Sequence, residues 1–189
     1  LALLRHLQRT VPVAHTLRLQ PLDRNHHVTH TLRAALRMAG YSLFSFFAFY
    51  NWVWHGQPSW KGYFASRSAS LRSNVRRSNK RLQEAGGRIE IIHKPSDVAR
   101  GMAAYEAVYG QSWKQAEPCP LFFRNVATAF AQRDQLRLGL AWLGDKVIAA
   151  QFWTVAHGVA EIHKLAYDEK HKALGVGTAL SAALFERVL

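Results

Sequence analysis

The stretch Glu161–Leu189, EIHKLAYDEKHKALGVGTALSAALFERVL, decides the fold that the sequence predicts. Its first part, Glu161–Tyr167, alternates polar and apolar residues and is apolar enough for a strand. Asp168–Gly175 is polar and ends in glycine, which is typical of a loop. Val176–Leu189 places apolar residues near helical spacing among alanines that favour a helix. The stretch therefore predicts a strand, a glycine-bearing loop and a helix in succession.

A glycine loop that leads into a helix predicts an anion site. The first N–H groups of a helix lack partners within it and lie at the positive end of its dipole, so a phosphate binds there. Gly175 and Gly177 let the backbone approach a phosphate closely because neither has a Cβ. Thr178 adds a hydroxyl, and Lys172 adds positive charge. A tight turn without a ligand is the alternative, since short glycine patterns are weak evidence.

Composition and charge limit the class of protein. The 189 residues suit one ordinary domain or parts of two, and 49% hydrophobic residues are ample for a core. The single cysteine, Cys119, excludes an intramolecular disulfide and fits a reducing compartment, so we expect a cytoplasmic location. The net charge of +13 favours a polyanionic partner, which is nucleic acid, a membrane surface or a phosphate-bearing cofactor. His26, His27 and His30 lack a third ligand of defined spacing, so no metal site is predicted.

The first 60 residues predict helices that alternate with strands. We expect helices at Leu1–Arg9 and Asn25–Met38, with a short strand at His15–Gln20 between them. The aromatic run Tyr41–Trp54 predicts a buried strand and is too short to span a membrane. Glycine and proline in His55–Trp60 mark a change of unit.

A basic segment opens the second part of the chain. Lys61–Ala85 predicts one long helix that begins at a Ser59 cap and carries Arg72 and Arg76 on one face. Like charges at helical spacing repel each other by roughly 0.2–0.5 kcal/mol per pair, so this face gains most from an anionic partner. A solvated basic face is the alternative, and the residues leave both open.

Beyond the basic helix the pattern predicts a strand, two helices and three antiparallel strands. The first strand is Arg88–His93, and the helices begin at Pro95 and Leu121. The three later strands are separated by turns short enough for hairpins. They are Leu136–Leu143, Val147–Val155 and Val159–Tyr167.

This order of elements resembles the GNAT N-acetyltransferase superfamily. That family's acyl-CoA loop follows Arg/Gln-x-x-Gly-x-Gly/Ala, and the matching residues here run from Lys172 to Gly177. Lys172 departs from the pattern, because it keeps the charge but loses the planar fork of arginine. Two further segments, SWKGYFASRSASLRSNVRRSNKRL and HKLAYDEKHKALGVGTAL, resemble the CelD-like and Fem-type (peptidoglycan aminoacyltransferase) branch. The fold class implied is α/β (α+β), a mixed and mostly antiparallel sheet with helices on both faces.

The resemblance also implies a division into domains. It covers Ser59–Leu189 and implies a GNAT-like acyltransferase domain over residues 59–189. Residues 1–58 fit the C-terminal part of a preceding, degenerate GNAT-like repeat. The family's final strands are expected beyond Leu189.

The resemblance implies acetyl-CoA or another acyl-CoA as co-substrate. Its pantetheine would pair with the backbone of the last strand, and its pyrophosphate would lie on the N–H groups at the start of the following helix. The residues expected to bind it are Leu165, Ala166, Tyr167, Lys172, Gly175, Val176, Gly177 and Thr178.

The acceptor amine must lose a proton, which requires a base or a water path. Strand alternation places Glu161, His163, Leu165 and Tyr167 on one face and Lys164 on the other. Glu161 or His163 is the candidate base, and Lys164 is a candidate to stabilise the thioester oxyanion or an acidic acceptor. Ordinary strand residues are the alternative for all three. The residues expected on the acceptor side are Trp113, Lys114, Arg72 and Arg76.

Three functions follow from these observations. The first is an N-acyltransferase that moves an acyl group from acyl-CoA to an amino group of a sugar- or peptide-type acceptor, related to the cell envelope or a polysaccharide. The second is a Fem-type transferase that takes an aminoacyl group from a tRNA bound by the basic helix. The third is a nucleic-acid-binding module without catalysis, although no zinc-finger, RNP or helix-turn-helix signature supports it.

Overall fold

A four-stranded antiparallel sheet forms the centre of the second unit of the chain. The computed structural model describes residues 2–11, 16–56, 59–112, 114–115 and 117–189. The chain divides into two units, Leu1–Trp54 and His55–Leu189. The assignment of residues 1–58 to a second GNAT-like repeat stays a prediction.

The first unit contains the two helices that the sequence predicts. Helix α1 is Ala2–Thr10 and helix α2 is His27–Met38. Each buries one leucine, and the Gln8 side chain of α1 donates a hydrogen bond to the carbonyl of Ala39, 2.8 Å away. Gly40, with φ +85°, follows the end of α2 as expected of a terminating glycine.

The two strands predicted in this unit are wrong. Tyr41–Trp54 has no regular secondary structure, and its aromatic side chains from Phe44 onward are exposed, Trp52 completely so at 101%. Residues 16–20 are also irregular, and His15 lies outside the described residues. β-Propensity measures how a side chain packs against a neighbouring strand, and the described part of this unit supplies no such neighbour.

Two helices replace the single basic helix that the sequence predicts. Helix α3 is Trp60–Ser66, capped by Ser59 as expected, and helix α4 is Ala69–Glu84. The chain becomes extended at Arg67, with φ −79° and ψ 156°. Ser68 then accepts a hydrogen bond from the Leu71 N–H, so this serine starts a new helix.

The sheet contains all four strands predicted for the second unit. They pair antiparallel in the order β1-β2-β3-β4, and Gly144 and Gly158, both at positive φ, lie in the two hairpin turns. The strands are β1 Gly87–Ile92, β2 Leu136–Leu143, β3 Lys146–Ala156 and β4 Val159–Tyr167.

Helices cover both faces of this sheet, which confirms the predicted fold class. Helices α5 (Val98–Gly110) and α6 (Pro120–Ala131) pack on one face over a core that includes Phe152. Helix α7 (Val176–Val188) and α4 pack on the other face around Trp153. Short 3₁₀ turns at Pro95–Asp97 and Glu169–Leu174 lead into α5 and α7.

The described residues contain no helix with the length and apolar character that a bilayer crossing requires. They also contain no group of three or more histidine, cysteine or acidic side chains placed to hold a metal ion.

Candidate active site

A β-bulge in β4 changes which side chains share a face. Phe152 pairs with Lys164 but the next residue of β3, Trp153, pairs with Ile162, so His163 is an extra residue in β4. The predicted strict alternation is therefore wrong. Glu161, His163 and Lys164 all lie on the α5/α6 face of the sheet, beside Phe152 and Thr154. Leu165 and Tyr167 lie on the opposite face, with α7.

The bulge brings the two candidate bases together. His163 Nε2 lies 2.7 Å from Thr154 Oγ1 and 3.7 Å from a carboxylate oxygen of Glu161. Thr154 is buried, at 2% exposure, whereas the Glu161 side chain is mostly exposed. His163 is therefore held by a rigid neighbour, and Glu161 supplies a negative charge beside its ring.

Lys164 occupies an ionic and aromatic environment next to this pair. Its Nζ lies 2.9 Å from Glu117 Oε2 and 5.2 Å from the centre of the Phe123 ring. The close contact with the Glu117 carboxylate raises the pKa of Lys164 above its ordinary value, although partial burial acts in the opposite direction. Lys164 is thus held as an ammonium ion on the α5/α6 face.

The connection between α5 and α6 contributes a second cation. Lys114 Nζ lies 5.9 Å from the centre of the Tyr109 ring, as does Lys164 Nζ. Burial, followed by the charge of Lys164, lowers the pKa of Lys114. Trp113, predicted beside it, lies outside the described residues. Lys114 and Lys164 therefore both lie near the Tyr109 ring, and Lys164 is paired with Glu117.

The residues predicted to bind the donor meet at a pocket on the other face. The pocket has a volume of about 320 Å³ and lies between α3, α4, β4 and the first turns of α7. Of the predicted residues, Leu165, Tyr167, Gly177 and Thr178 line it. Aromatic residues of α3 and Phe185 of α7 form its apolar wall.

Two other predicted donor residues have buried side chains. Ala166 belongs to the core under α5, and Val176 to the core under α7. Only their backbone groups are candidates for contact with a ligand. The Lys172 side chain is exposed and lies 3.9 Å from Glu169.

At the start of α7, some backbone N–H groups are already hydrogen-bonded and only the others can bind an anion. The Gly175 N–H already donates to the Lys172 carbonyl, and the Thr178 N–H to the Gly175 carbonyl, both at 3.0 Å. Within the described residues, the N–H groups of Val176 and Gly177 have no such backbone acceptor. These two are the donors that remain for a phosphate.

Position 175 requires glycine for two reasons, its backbone conformation and its contact with Ser78. Its φ is +67°, and a Cβ at this position would overlap Ser78 Oγ of α4. Gly177 is different, because a Cβ there would meet only Tyr167, at 4.0 Å. The first glycine therefore serves packing, and the second faces the pocket.

Asp168 anchors the loop between β4 and α7. This buried carboxylate lies 2.6 Å from Lys146 Nζ and accepts a hydrogen bond from the Lys170 N–H. These two contacts lower the pKa of Asp168 from 3.8 to about 2. Asp168, which lies in the segment HKLAYDEKHKALGVGTAL, thus holds the loop in place.

Gln151 links the sheet to α7. It is buried in β3, and its side-chain N–H groups donate to the Gly177 carbonyl, 3.2 Å away, and to Ser181 Oγ, 2.8 Å away. Its amide oxygen accepts from Trp153 Nε1 at 2.9 Å. A buried amide with every group bonded fixes the position of the first turn of α7.

The two arginines predicted on the acceptor side lie away from Lys114. Arg72 donates to the carbonyls of Ala65 and Arg67, so it terminates α3. Arg76 lies over the Phe64 ring at 5.8 Å. Both belong to the α4 side of the sheet, whereas Lys114 belongs to the α5/α6 side. The structure therefore divides the predicted acceptor set in two.

Several polar residues of the site were not predicted from the sequence. Gln151 is a polar residue inside an otherwise apolar strand, and this was a usable signal. Glu117 lies three residues after Lys114, but its link to β4 depends on tertiary structure. Thr154 and Ser78 had no sequence signal, since threonine in a strand and serine in a basic helix are ordinary.

Comparisons with known proteins identify the domain. A family model described as Acetyltransferase (GNAT) domain matches residues 69–189. No curated protein matches the chain. Ten solved chains are similar to this one, and three of them are given as examples. The ribosomal-protein-S18-alanine N-acetyltransferase from Escherichia coli is 15% identical, with TM-score 0.40, covering 54% of this chain and 59% of that one.

The second is the C-terminal domain (DUF2156) of a putative lysylphosphatidylglycerol synthetase from Agrobacterium fabrum, 12% identical with TM-score 0.48, covering 66% of this chain and 40% of that one. The third is an aminoglycoside acetyltransferase from an uncultured soil metagenomic sample in complex with sisomicin. It is 16% identical with TM-score 0.41, covering 57% of this chain and 72% of that one. The chain spans 59% and 40% of the length of the first two.

Proposed function

The chain belongs to the GNAT acetyltransferase family, and we propose that it moves an acyl group from acyl-CoA to an amino group of a sugar- or peptide-type acceptor. One observation carries this proposal. Four residues expected to contact the donor line one pocket, and the candidate base His163 is on the strand that borders it. The family match favours an enzyme over a non-catalytic nucleic-acid-binding module.

The donor would lie along the outer edge of β4. This edge has no strand partner among the described residues, so its backbone groups are available to the amides of pantetheine. The N–H groups of Val176 and Gly177 would receive the diphosphate at the end of that edge. Holding the thioester and the amine together replaces a bimolecular encounter, which is the main source of rate in this proposal.

His163 is the base in the proposed transfer. If its Nε2–H donates to Thr154 Oγ1, its Nδ1 carries the lone pair that accepts a proton. The acceptor nitrogen attacks the thioester carbonyl, a C–N bond forms, and the amine proton passes to His163. The C–S bond then breaks, and CoA leaves as a thiolate that takes up a proton. Glu161, 3.7 Å from His163, stabilises the imidazolium that forms.

Lys164 and Lys114 would recognise the acceptor. Their two positive charges lie near the same ring, Tyr109, and would favour an acceptor that carries an anionic group near its amine. This arrangement supports the acidic-acceptor role of Lys164 more than the oxyanion role, because its ammonium is directed to Glu117.

The proposal also includes a branch of the family, a type of acceptor and a location in the cell. The CelD-like branch, a cell-envelope or polysaccharide acceptor and a cytoplasmic location rest on the sequence motifs. The Fem-type alternative, with an aminoacyl-tRNA donor, stays a prediction, since the family match supplies no argument for a tRNA partner. Of the basic residues behind it, Arg72 is engaged in ending α3.

Calorimetric titration with acetyl-CoA tests the donor. We expect binding by the wild type and by Gly177→Ala, because a Cβ fits there and the family pattern allows alanine. Gly177→Trp should abolish binding, since its side chain fills the pocket. A wild type that binds no acetyl-CoA, or a Gly177→Trp variant that binds as well as the wild type, contradicts the proposed donor site.

Release of free CoA thiol tests the transfer. Glucosamine and a lysine-containing acidic peptide represent the two acceptor types. We expect thiol release that depends on one of these amines. Release at the same rate without any amine would show thioester hydrolysis, and the transferase proposal would then be wrong.

A further inference from the structure

Helix α4 meets the start of α7 at one residue of the proposed donor loop. Ser78 of α4 is 7% exposed, and its hydroxyl lies where a Cβ of Gly175 would be. Within the described residues no hydrogen bond of this hydroxyl is found, and its oxygen is not one of the fully buried atoms without a partner. Gly175 directly precedes Val176 and Gly177, whose backbone N–H groups also lack a backbone acceptor among the described residues.

The position of Ser78 makes an unused hydroxyl unexpected. The other residues buried along α4 are apolar, namely Val75 and Leu82. The Ser78 oxygen is not fully enclosed, so a ligand can reach this hydroxyl, whereas an alanine would fill the same space without a donor. A ligand at the loop would supply the missing acceptor.

Arg81 places a cation at the same loop. Its Nη1 donates to the carbonyl of Ala173, 3.1 Å away, two residues before Gly175. A guanidinium group has five N–H donors in a planar fork, so one contact to a carbonyl leaves others for an anion. Backbone N–H groups, a hydroxyl and a guanidinium therefore meet around one turn, and a diphosphate is the anion they suit.

We propose that Ser78 and Arg81 of α4 bind the diphosphate of the acyl-CoA donor, together with the N–H groups of Val176 and Gly177. This inference rests on the proposed function. It extends the donor site from the glycine loop to a helix that precedes the sheet in the chain. It also gives part of the basic face of α4 a specific task in donor binding.

Affinity measurements with three ligands test this inference. The ligands are CoA, 3′-dephospho-CoA, which keeps the diphosphate, and pantetheine, which has no phosphate. We expect Arg81→Gln and Ser78→Ala each to weaken binding of CoA and 3′-dephospho-CoA by about tenfold, with pantetheine unchanged. Lys80→Gln is the matched control, because it removes one charge of α4 at an exposed residue paired with Glu84.

Each of the other possible results of these affinity measurements contradicts a defined part of the inference. Wild-type affinity in both variants rejects the role of α4 while the proposed donor stands. A loss limited to CoA assigns the contact to the 3′-phosphate and rejects the diphosphate. Equal losses for pantetheine, or a lowered unfolding temperature in Ser78→Ala without ligand, indicate a structural role. A wild type that binds none of the three ligands rejects the proposed function itself.

Discussion

His163 Nε2 lies 2.7 Å from the hydroxyl oxygen of Thr154, a residue buried in the neighbouring strand. The contact exists because the bulge in β4 turns His163 toward the α5/α6 face. A hydrogen bond to one ring nitrogen decides which nitrogen carries the proton, so Thr154 selects the tautomer of the candidate base.

Replacing His163 should slow the transfer step and leave donor binding intact. We expect His163→Gln to lower kcat by about 10²–10³-fold, the usual contribution of a general base. The affinity for acetyl-CoA should stay at the wild-type level, because the donor pocket lies on the other face of β4. Steady-state kinetics would measure the loss of kcat, and calorimetric titration with acetyl-CoA would measure the affinity.

Thr154→Val is the positioning control for His163. Valine has a similar shape but no hydroxyl, so the ring loses its orientation and we expect an approximately tenfold loss of kcat. The affinity for acetyl-CoA should not change, since the pocket lies on the other face. Wild-type kcat in His163→Gln would assign the base to another group.

The ion pair between Lys164 and Glu117 should couple β4 to the α5–α6 connection. Glu117→Gln and Lys164→Met each leave one charge without its partner in a partly buried site, which we expect to destabilise the protein by about 1–2 kcal/mol. The double variant should lose less than the sum of the two. Urea unfolding of the four proteins measures this coupling.

The exposed ion pair between Lys80 and Glu84 provides the comparison for the double-mutant cycle of Lys164 and Glu117. Their nitrogen and oxygen are 3.7 Å apart, but both side chains are largely exposed. We expect a coupling below about 0.5 kcal/mol for this pair. A coupling for Lys164 and Glu117 as small as this would show that the pair does not hold β4 to the connection.

Gly175→Ala should destabilise the protein more than the same change at Gly86. Both glycines have positive φ, but a Cβ at Gly86 has nothing within 4 Å, whereas at Gly175 it overlaps Ser78. We expect a loss of about 1 kcal/mol at Gly86 and about 2–3 kcal/mol at Gly175. Thermal or urea unfolding would distinguish these values.

Ser78→Gly should relieve the extra cost of Gly175→Ala, because it removes the overlapping atoms. The cycle formed by both changes then shows a favourable coupling. Additive losses would mean that the loop moves away from α4 when alanine is introduced.

Asp168→Asn should destabilise the protein at neutral pH but not in strong acid. The contacts with Lys146 and the Lys170 N–H lower the pKa of Asp168 from 3.8 to about 2, so the folded state favours the charged carboxylate. Its contribution is complete above about pH 4 and is lost as the pH falls toward 2. We expect a difference of about 1–2 kcal/mol at pH 7 that narrows below pH 4.

Urea unfolding between pH 2 and 7 follows this difference. Asp145→Asn, in the exposed turn between β2 and β3, controls for the loss of a carboxylate alone. A gap between wild type and Asp168→Asn that stays constant down to pH 2 would contradict the assigned cause.

The local pattern of the sequence was sufficient to predict the hairpins, the glycine loop and the helix that follows it. Each of these depends on residues close together in the chain, such as Gly158 between two strands or Gly175 before α7. The order of these elements was enough to identify the fold class. The break at Ser68 was missed because helical periodicity continues across it, while the serine cap interrupts the backbone.

The faces of β4 could not be predicted from β4 alone. The bulge at His163 appears only when β4 is paired with β3, since it is a difference in register between two strands. The exposed run Tyr41–Trp54 shows the opposite case, in which strong β-propensity forms no strand in the described residues. Tertiary neighbours decide both outcomes.

The two faces of β4 also bear on the order of events in turnover. The donor pocket opens on the α7 face, while His163 and Lys164 lie on the α5/α6 face. Neither substrate then blocks the path of the other, and neither product has to leave first. We therefore expect a ternary complex that assembles in either order, and no acylated enzyme. Within this complex the acyl group passes across the edge of β4 from one face to the other.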